Sequence, residues 1–421
     1  MKEEIIAGLD IGSTDVRLVV GQRGNANQED ASKIQIIGAV NVESMGINKG
    51  VVKSIEDVTS SISACLEKTE KLVGVPIESV WVSMNSPHIK CEKSKGVVAI
   101  GRSDGEISHE DVDRALEAAR ALSVPPNYEI LHVIPVKFSV DNQDDIRDPV
   151  GMIGVRLEVE TLIIQGLSSQ IKNLTKAIFR TGLDIDDLVL SPLAASEAVI
   201  NNKQKDLGAA LINIGASTTS LAVFEEGELL HTAVIPIGSE HISADVAIGL
   251  RCPINLAEKI KIQFGSASPE GIDKKNEIDI FDIAKEEGVD DEIQKVNEKY
   301  LAQIIEARVE EIFEKVYEEL ASIERSGMLP GGVYLIGGGS RIKDVVSVAK
   351  KQLRLPAVFG SNSNVRAVID KVHETEFLNA LGLVVWGSQV YNDGGGMKMP
   401  GGAIVGKGME KLKKMFKSLV P

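Results

Sequence analysis

Apolar and polar positions in the first twenty residues fall in runs too short for a helix. Residues 5–10 read as a buried strand, Gly12-Ser13-Thr14 as a tight turn, and 16–20 as a return strand. The same pattern comes back near the middle. Residues 209–213 are apolar up to Asn213, Ile214-Gly215-Ala216-Ser217-Thr218 forms the turn, and 221–224 are apolar again. Laid side by side, Asp10 falls on Asn213, Gly12 on Gly215, Leu18 on Leu221 and Val20 on Val223. The offset is a constant 203 residues, near half of the 421-residue chain. This predicts two related halves, each opening on the same hairpin. A third apolar run ends in Ile336-Gly337-Gly338-Gly339-Ser340 and leads into a helix over 343–351.

Between the hairpins, residues 84–167 mix strand-like and helical patterns and read as an insert with its own small core. Strands are predicted over 95–100, 132–138 and 156–164. A helix is predicted over 108–122, where Ser108 is the N-cap and Asp111, three residues on, completes a capping box. Residues 292–325 predict one or two long amphipathic helices, with Ile293, Val296, Tyr300, Ile304, Ile312, Val316, Leu320 and Ile323 on the apolar side and Glu and Lys opposite. From 391 to 408 the pattern stops: seven of these residues are glycine, the composition of a flexible linker. Periodicity resumes at 409–421. Met409, Leu412, Met415, Phe416, Leu419 and Val420 share one arc of a helix, and Lys411, Lys413, Lys414 and Lys417 lie on the other.

The length allows two to four domains, and 43% hydrophobic residues suit a globular chain. A net charge of −15 with 4% aromatics excludes a protein that wraps nucleic acid, which needs a basic surface. Cys65, Cys91 and Cys252 have neither disulfide-framework nor zinc spacing and are expected as reduced thiols of a cytosolic chain. The first residues lack the apolar core of a signal peptide, and no run of about 18 apolar residues occurs. The charge is uneven: residues 407–421 carry five lysines and one glutamate, or +4, leaving −19 on the rest. The basic amphipathic end therefore has the chemistry of a helix lying in an anionic bilayer surface, with docking on its own domain as the alternative.

A Gly-Ser-Thr turn presents backbone N–H groups and hydroxyls to phosphate oxygens. A carboxylate where the strand ends, as at Asp10, holds Mg²⁺ through water. One such turn is ordinarily structural; three in order at strand ends point to a nucleotide held between two halves. There is no Walker A sequence, which disfavours a P-loop NTPase. A Gly-x-Gly-x-x-Gly with a following acidic residue is also missing, which weakens a Rossmann reading.

These three segments resemble the first phosphate, second phosphate and adenosine motifs of the actin-like ATPase superfamily. Ser86-Pro87-His88-Ile89-Lys90, Gly96-Val97-Val98-Ala99-Ile100, Leu131-His132-Val133-Ile134-Pro135 and the stretch 148–156 further resemble the insert of the bacterial FtsA cell-division family. Ser191-Pro192-Leu193-Ala194-Ala195-Ser196 and Val234-Ile235-Pro236-Ile237-Gly238 do so as well. The resemblance implies an α/β actin-like ATPase fold: two duplicated ribonuclease-H-like domains with an inserted small α/β subdomain. The expected division is 1–83 and 168–205 with 362–390 for the first domain, 84–167 for the insert, and 206–361 for the second domain, with 237–327 as its smaller subdomain. The linker at 391–408 and a membrane-targeting helix at 409–421 follow.

The resemblance also implies function: an ATP-binding protein that polymerises on the cytoplasmic membrane at the division site. There it tethers filaments of FtsZ through the FtsZ C-terminal tail and recruits later division proteins. ATP and Mg²⁺ are the implied cofactors. Asp10, Gly12, Ser13 and Thr14 would hold phosphates and the metal, with Asn213, Gly215, Ala216, Ser217 and Thr218 closing from the other side. Gly337, Gly338, Gly339 and Ser340 would pack around adenosine. Glu258 and Lys261 would reach the ribose and base, or else form a solvated i, i+3 pair. Arg308 would receive the acidic FtsZ tail, or else pair with Glu311.

Two positions depart from the superfamily. Asn213 stands where many members carry Asp, and Asp15 stands near where actins and chaperones often carry Lys. ATP binding is accordingly expected to be firmer than hydrolysis, with at most slow ATPase activity. Glu197 is a candidate to position water, or else a helix-surface residue. A sugar kinase or ATP-driven chaperone of the same superfamily is the enzyme alternative, but no convincing catalytic carboxylate and no substrate domain are legible. A pilus-assembly actin homologue is the other.

Overall fold

The computed structural model describes residues 5–23, 34–121, 124–289, 295–362, 365–367 and 369–392. The terminal helix predicted at 409–421 and most of the glycine linker lie outside them.

Two sheets carry the halves. In the first, the strands Ile34–Glu43, Asp15–Arg23 and Ile5–Ile11 are antiparallel neighbours, and Ser79–Met84 and Asp184–Leu190 extend the sheet in parallel from Ile5–Ile11. A short strand, Arg366–Ala367, adds to the far edge. In the second, Glu228–Ile235, Thr219–Glu225 and Ala209–Ile214 are antiparallel, and Gly332–Ile336 and Ala357–Phe359 continue in parallel. The connection pattern is the same. So is the register: Asp10 faces Arg17, and Asn213 faces Ser220, each pair related by the 203-residue offset. The duplication read from two short motifs is a duplication of whole sheets.

The helices Ser191–Val199 and Leu378–Asn392 lie between the sheets and join their cores. They approach nearly backbone to backbone. A Cβ on Gly382 would stand 2.2 Å from the Ala194 carbonyl oxygen, so no larger residue fits there without parting the helices. The second helix runs through Asn392, two residues into the stretch read as linker.

The insert is an antiparallel sheet of Lys90–Ala99, Arg156–Leu167, Tyr128–Val140 and Gln143–Ile146, covered by the helix His109–Arg120. The capping box forms as the sequence predicts: the Ser108 N–H donates to the Asp111 carboxylate at 2.9 Å, and the Asp111 N–H to the Ser108 hydroxyl. His132 ties this sheet to the first half by accepting from the Leu190 N–H at 3.1 Å. Burial alone pushes its imidazole down to about 4.

The long helix is Glu298–Ser322, a single element, with the short strand Lys295–Asn297 before it. Its buried positions are Leu301, Ala302, Ile305, Val309, Ile312, Phe313, Val316 and Leu320. The stripe expected through Tyr300 and Ile304 is one residue out of phase at its start: Val296 lies on the preceding strand, and Tyr300 is 46% exposed. The helix after the third glycine turn is Val345–Leu353, set off from the strand by a 3-10 turn, Gly338–Arg341.

One buried carboxyl was illegible. On the strand Asp184–Leu190, Asp186 is the extra residue of a bulge, so that Ile185 pairs with Val80 and Asp187 with Trp81. The bulge turns Asp187 into the core. There Oδ1 accepts from the Leu188 N–H at 2.9 Å, and Oδ2 finds no partner among the described residues. Burial pushes this carboxyl up to about 8. A folded-state value raised above the unfolded one gives stability that is full below the unfolded value and is lost as pH rises through the folded one. Asp187→Asn removes that loss. Relative to the parent chain, the variant should therefore gain stability as pH rises from about 4 to about 8, by at most about 1.4 kcal/mol per pH unit. Unfolding followed at pH 5 and pH 8 checks this, and a difference that does not change with pH contradicts it.

Candidate nucleotide site

The two hairpins close in the same way. The Gly12 N–H donates to the Asp15 carbonyl and the Gly215 N–H to the Thr218 carbonyl, both at 2.9 Å. Each turn thereby holds its remaining N–H groups at the end of a buried strand. The helix Ser239–Leu250 abuts the second turn, its Ser239 and Glu240 N–H groups donating to the Gly215 and Ala216 carbonyls at 2.9 and 2.8 Å. Ser217 donates its hydroxyl to Glu240 at 2.6 Å, and Thr218 accepts from Asn85 of the first half at 3.2 Å.

The third turn lies against the second hairpin. Gly337 has φ +87°, and a Cβ there would come within 2.3 Å of Asn213 Oδ1, so both conformation and space demand glycine. Gly338 is the opposite case: a Cβ would meet nothing within 4 Å, although the residue borders the cleft. Residues 375–379 return the chain to the first half and touch everything at once. The Gly337 N–H donates to the Thr375 carbonyl at 3.0 Å, Glu376 pairs with Arg341 at 3.1 Å, and Asn379 bonds both Asn213 and Asp10 at 3.2 and 3.3 Å.

All three turns face one cleft of about 1280 Å³. That exceeds the roughly 300–1,000 Å³ of ordinary ligand pockets, as suits an open groove between two lobes. Of the residues singled out in sequence, Asp10, Gly12, Ser13, Thr14, Asn213 and Gly215 to Thr218 border it. So do Glu258, Lys261, Gly337, Gly338 and Gly339.

Three singled-out residues do not. Ser340 is fully buried and bonds the Gly337 carbonyl with its hydroxyl at 2.7 Å, locking the turn from behind. Glu197 lies away from the cleft. It is not a solvated helix-surface residue either: its side chain is 12% exposed and pairs at 2.6 Å with Lys205, itself buried. Arg308 sits on the long helix and pairs with Glu311, as one reading expects, and also with Asp245 at 2.6 and 3.1 Å, a partner 63 residues away that spacing does not reveal.

Glu258 and Lys261 do form an i, i+3 pair at 2.7 Å, but it is not a solvated one. Lys261 is 6% exposed and also donates to the Ser243 hydroxyl at 2.8 Å and the Ser239 carbonyl at 3.2 Å. The cation that Asp15 does not supply comes from Arg17, two residues on and therefore on the same face of the strand. Arg17 pairs with Asp15 at 2.9 Å and lies over the Phe377 ring at 5.7 Å, and its buried Nε has no partner among the described residues. Strand alternation was the signal that could have found it. With Arg17, Lys261, Arg341 and Lys343 on the rim, Asp10 at the strand end and three N–H-bearing turns, the donor set fits a polyphosphate accompanied by a hydrated divalent cation.

Comparison with known proteins adds independent findings. A family model described as the SHS2 domain inserted in FTSA matches residues 86–165, and one described as cell division protein FtsA matches residues 210–382. The cell division protein FtsA of Bacillus subtilis is 38% identical over 407 residues, 95% of this chain and 88% of that one. That of Neisseria meningitidis is 36% identical over 390 residues, 91% of this chain and 90% of the relative. Among solved structures, a chain of the PilM–PilN type IV pilus biogenesis complex superposes with a TM-score of 0.64 at 15% identity, covering 91% of this chain and 98% of its own. MreB 5 of Spiroplasma citri bound to AMPPNP superposes at 0.53 with 11% identity, covering 94% and 100%. At such identities these likenesses establish the actin-like fold and leave the family to the sequence relatives.

The open space at Gly338 makes a clean test of the site. Gly338→Asp should fold with an unchanged unfolding temperature, because nothing crowds the new side chain. It should bind a fluorescent ATP analogue roughly tenfold or more weakly, because the new side chain occupies room at the cleft and adds a negative charge there. Titration of both chains checks this; equal affinity contradicts the placement of the ligand against the third turn.

Proposed function

The chain belongs to the FtsA family of cell-division proteins, and on that premise we propose that it binds ATP with Mg²⁺ in the cleft, polymerises on the cytoplasmic membrane and tethers FtsZ there. The observation that carries the nucleotide part is the convergence of the three glycine turns on one groove beside Asp10. The AMPPNP in a protein of the same fold supports an adenine nucleotide.

In this reading the N–H groups of residues 12–14 and 215–218 orient the phosphates, and Asp10 holds Mg²⁺ through water. Bound Mg²⁺ supplies charge neutralisation. Arg17 exchanges Asp15 for a phosphate oxygen, Gly338 leaves room for adenosine, and Glu258 with Lys261 stands toward ribose and base. Hydrolysis is at most slow: Asn213 adds no charge, and Glu197 is committed to Lys205. The nucleotide then serves to set the state of a polymer-forming body more than to drive turnover.

Attachment falls to residues 409–421. The apolar arc of Met409, Leu412, Met415, Phe416 and Leu419 would enter the bilayer interface while Lys413, Lys414 and Lys417 meet anionic headgroups, each worth about 1 kcal/mol. No helix among the described residues is long and apolar enough to cross a membrane. The acidic FtsZ tail would meet Arg308 by carboxylate exchange, displacing Asp245 and Glu311 from a partly exposed guanidinium; such pairs are weak enough to trade. Later division proteins would gather on the assembled surface.

One sedimentation experiment separates the parts. The full chain with ATP should carry FtsZ down with anionic liposomes. Deletion of 409–421 should abolish pelleting with lipid while ATP binding persists. Arg308→Ala should still pellet but leave FtsZ in the supernatant. A truncated chain that pellets as well as the full one contradicts membrane attachment through the tail.

A further inference from the structure

Resting on the reading of the cleft as a nucleotide and Mg²⁺ site, we propose that Asn379 is a positioning residue that fixes the Asp10 carboxylate, and that Asn213 is an amide because this chain of hydrogen bonds requires a donor there. Asp10, Ser83 and Asn213 are all buried. Asp10 accepts from the Ser83 hydroxyl on Oδ1 and from Asn379 Nδ2 on Oδ2 at 3.3 Å. A carboxylate offers only lone pairs, so Asn379 must turn its NH₂ group toward Asp10. Its carbonyl oxygen is thereby aimed at position 213 and needs a donor, which Asn213 Nδ2 supplies at 3.2 Å.

The chain has one polarity, Asn213 to Asn379 to Asp10, with Ser83 closing the far end. An aspartate at 213 would set acceptor against acceptor in a buried place, leaving both without a partner. The departure at 213 is thus paired with the residue at 379 and is not simply a weakened metal ligand.

The three links come from three elements. Asp10 is on a strand of the first sheet, Asn213 on the equivalent strand of the second, and Asn379 in the first turn of the helix that joins the halves. The bond chain therefore does two things. It holds the Asp10 carboxylate in a fixed orientation before any metal arrives, as outer-sphere partners of a metal ligand do. It also ties the ends of the two hairpins to each other, so that the spacing of the phosphate turns is set in the free protein.

The test is a double-mutant cycle on the full chain with two readouts. Thermal unfolding without nucleotide compares the parent, Asn213→Asp, Asn379→Ala and the double variant. Asn213→Asp should lower the unfolding temperature by a few degrees in the parent and by much less where Asn379 is already Ala, because the repelling carbonyl is gone. Asn379→Ser is made alongside and read by the same criterion should the alanine variant not fold. The second readout is the Mg²⁺ needed for half-maximal binding of a fluorescent ATP analogue, which should rise about ten- to a hundredfold in Asn379→Ala, the range for loss of an outer-sphere partner. Excess Mg²⁺ should restore the affinity. Additive unfolding effects, or an unchanged Mg²⁺ requirement, overturn the inference. A parent chain that fails to bind the analogue would instead overturn the nucleotide reading, while the unfolding cycle, which needs no ligand, would still judge the bond chain.

Discussion

Two sheets can offer their glycine turns to one groove only if the helices that join them pack at nearly backbone distance. That contact is the one between Ser191–Val199 and Leu378–Asn392, where Gly382 lies against the Ala194 carbonyl. The surrounding residues, among them Leu193, Ala194, Ala195, Ala198, Leu381 and Leu383, are buried in a core shared by both halves. Packing at this density does not yield to small forces. It fixes the first hairpin relative to the second, and the return segment 375–379 then fixes the third turn relative to both. The cleft is a consequence of that geometry and needs no specialised wall of its own.

The duplication was legible because a buried strand ending in a glycine turn has few alternatives in composition. Ile6, Ala7 and Leu9 on one side and Leu211, Ile212 and Ile214 on the other could not be placed at a surface. The capping box at Ser108 was legible for a local reason, since both partners lie within one turn of helix. What stayed illegible was set by distance along the chain. Asn379 meets Asn213 across 166 residues and Asp10 across 369, and nothing near any of the three announces the others. Asp245 beside Arg308 and Lys205 beside Glu197 escaped for similar reasons: their pairing depends on how elements dock, not on spacing within one of them. The phase of the long helix failed differently. Its apolar residues are dense enough that two neighbouring stripes fit the pattern, and only the docking against the helices Ser239–Leu250 and Val345–Leu353 chooses Leu301 and Ile305 over Tyr300 and Ile304.

The two departures from the superfamily pattern take on another meaning once the neighbours are known. Asp15 is not a misplaced charge in the phosphate site. It holds Arg17, Asn41 and the Thr14 hydroxyl, and so keeps a guanidinium at the groove. The chain's charge is likewise unevenly placed. Residues 407–421 carry +4 and the rest of the chain −19.

The central claim is that three separate glycine turns form one nucleotide site. Amide hydrogen exchange of the full chain, with and without Mg²⁺ and ATP, tests it most directly. The account predicts that exchange slows together at residues 10–15, 213–218 and 337–341 when ATP and Mg²⁺ are added. Slowing confined to one of these turns, or to none, would contradict it.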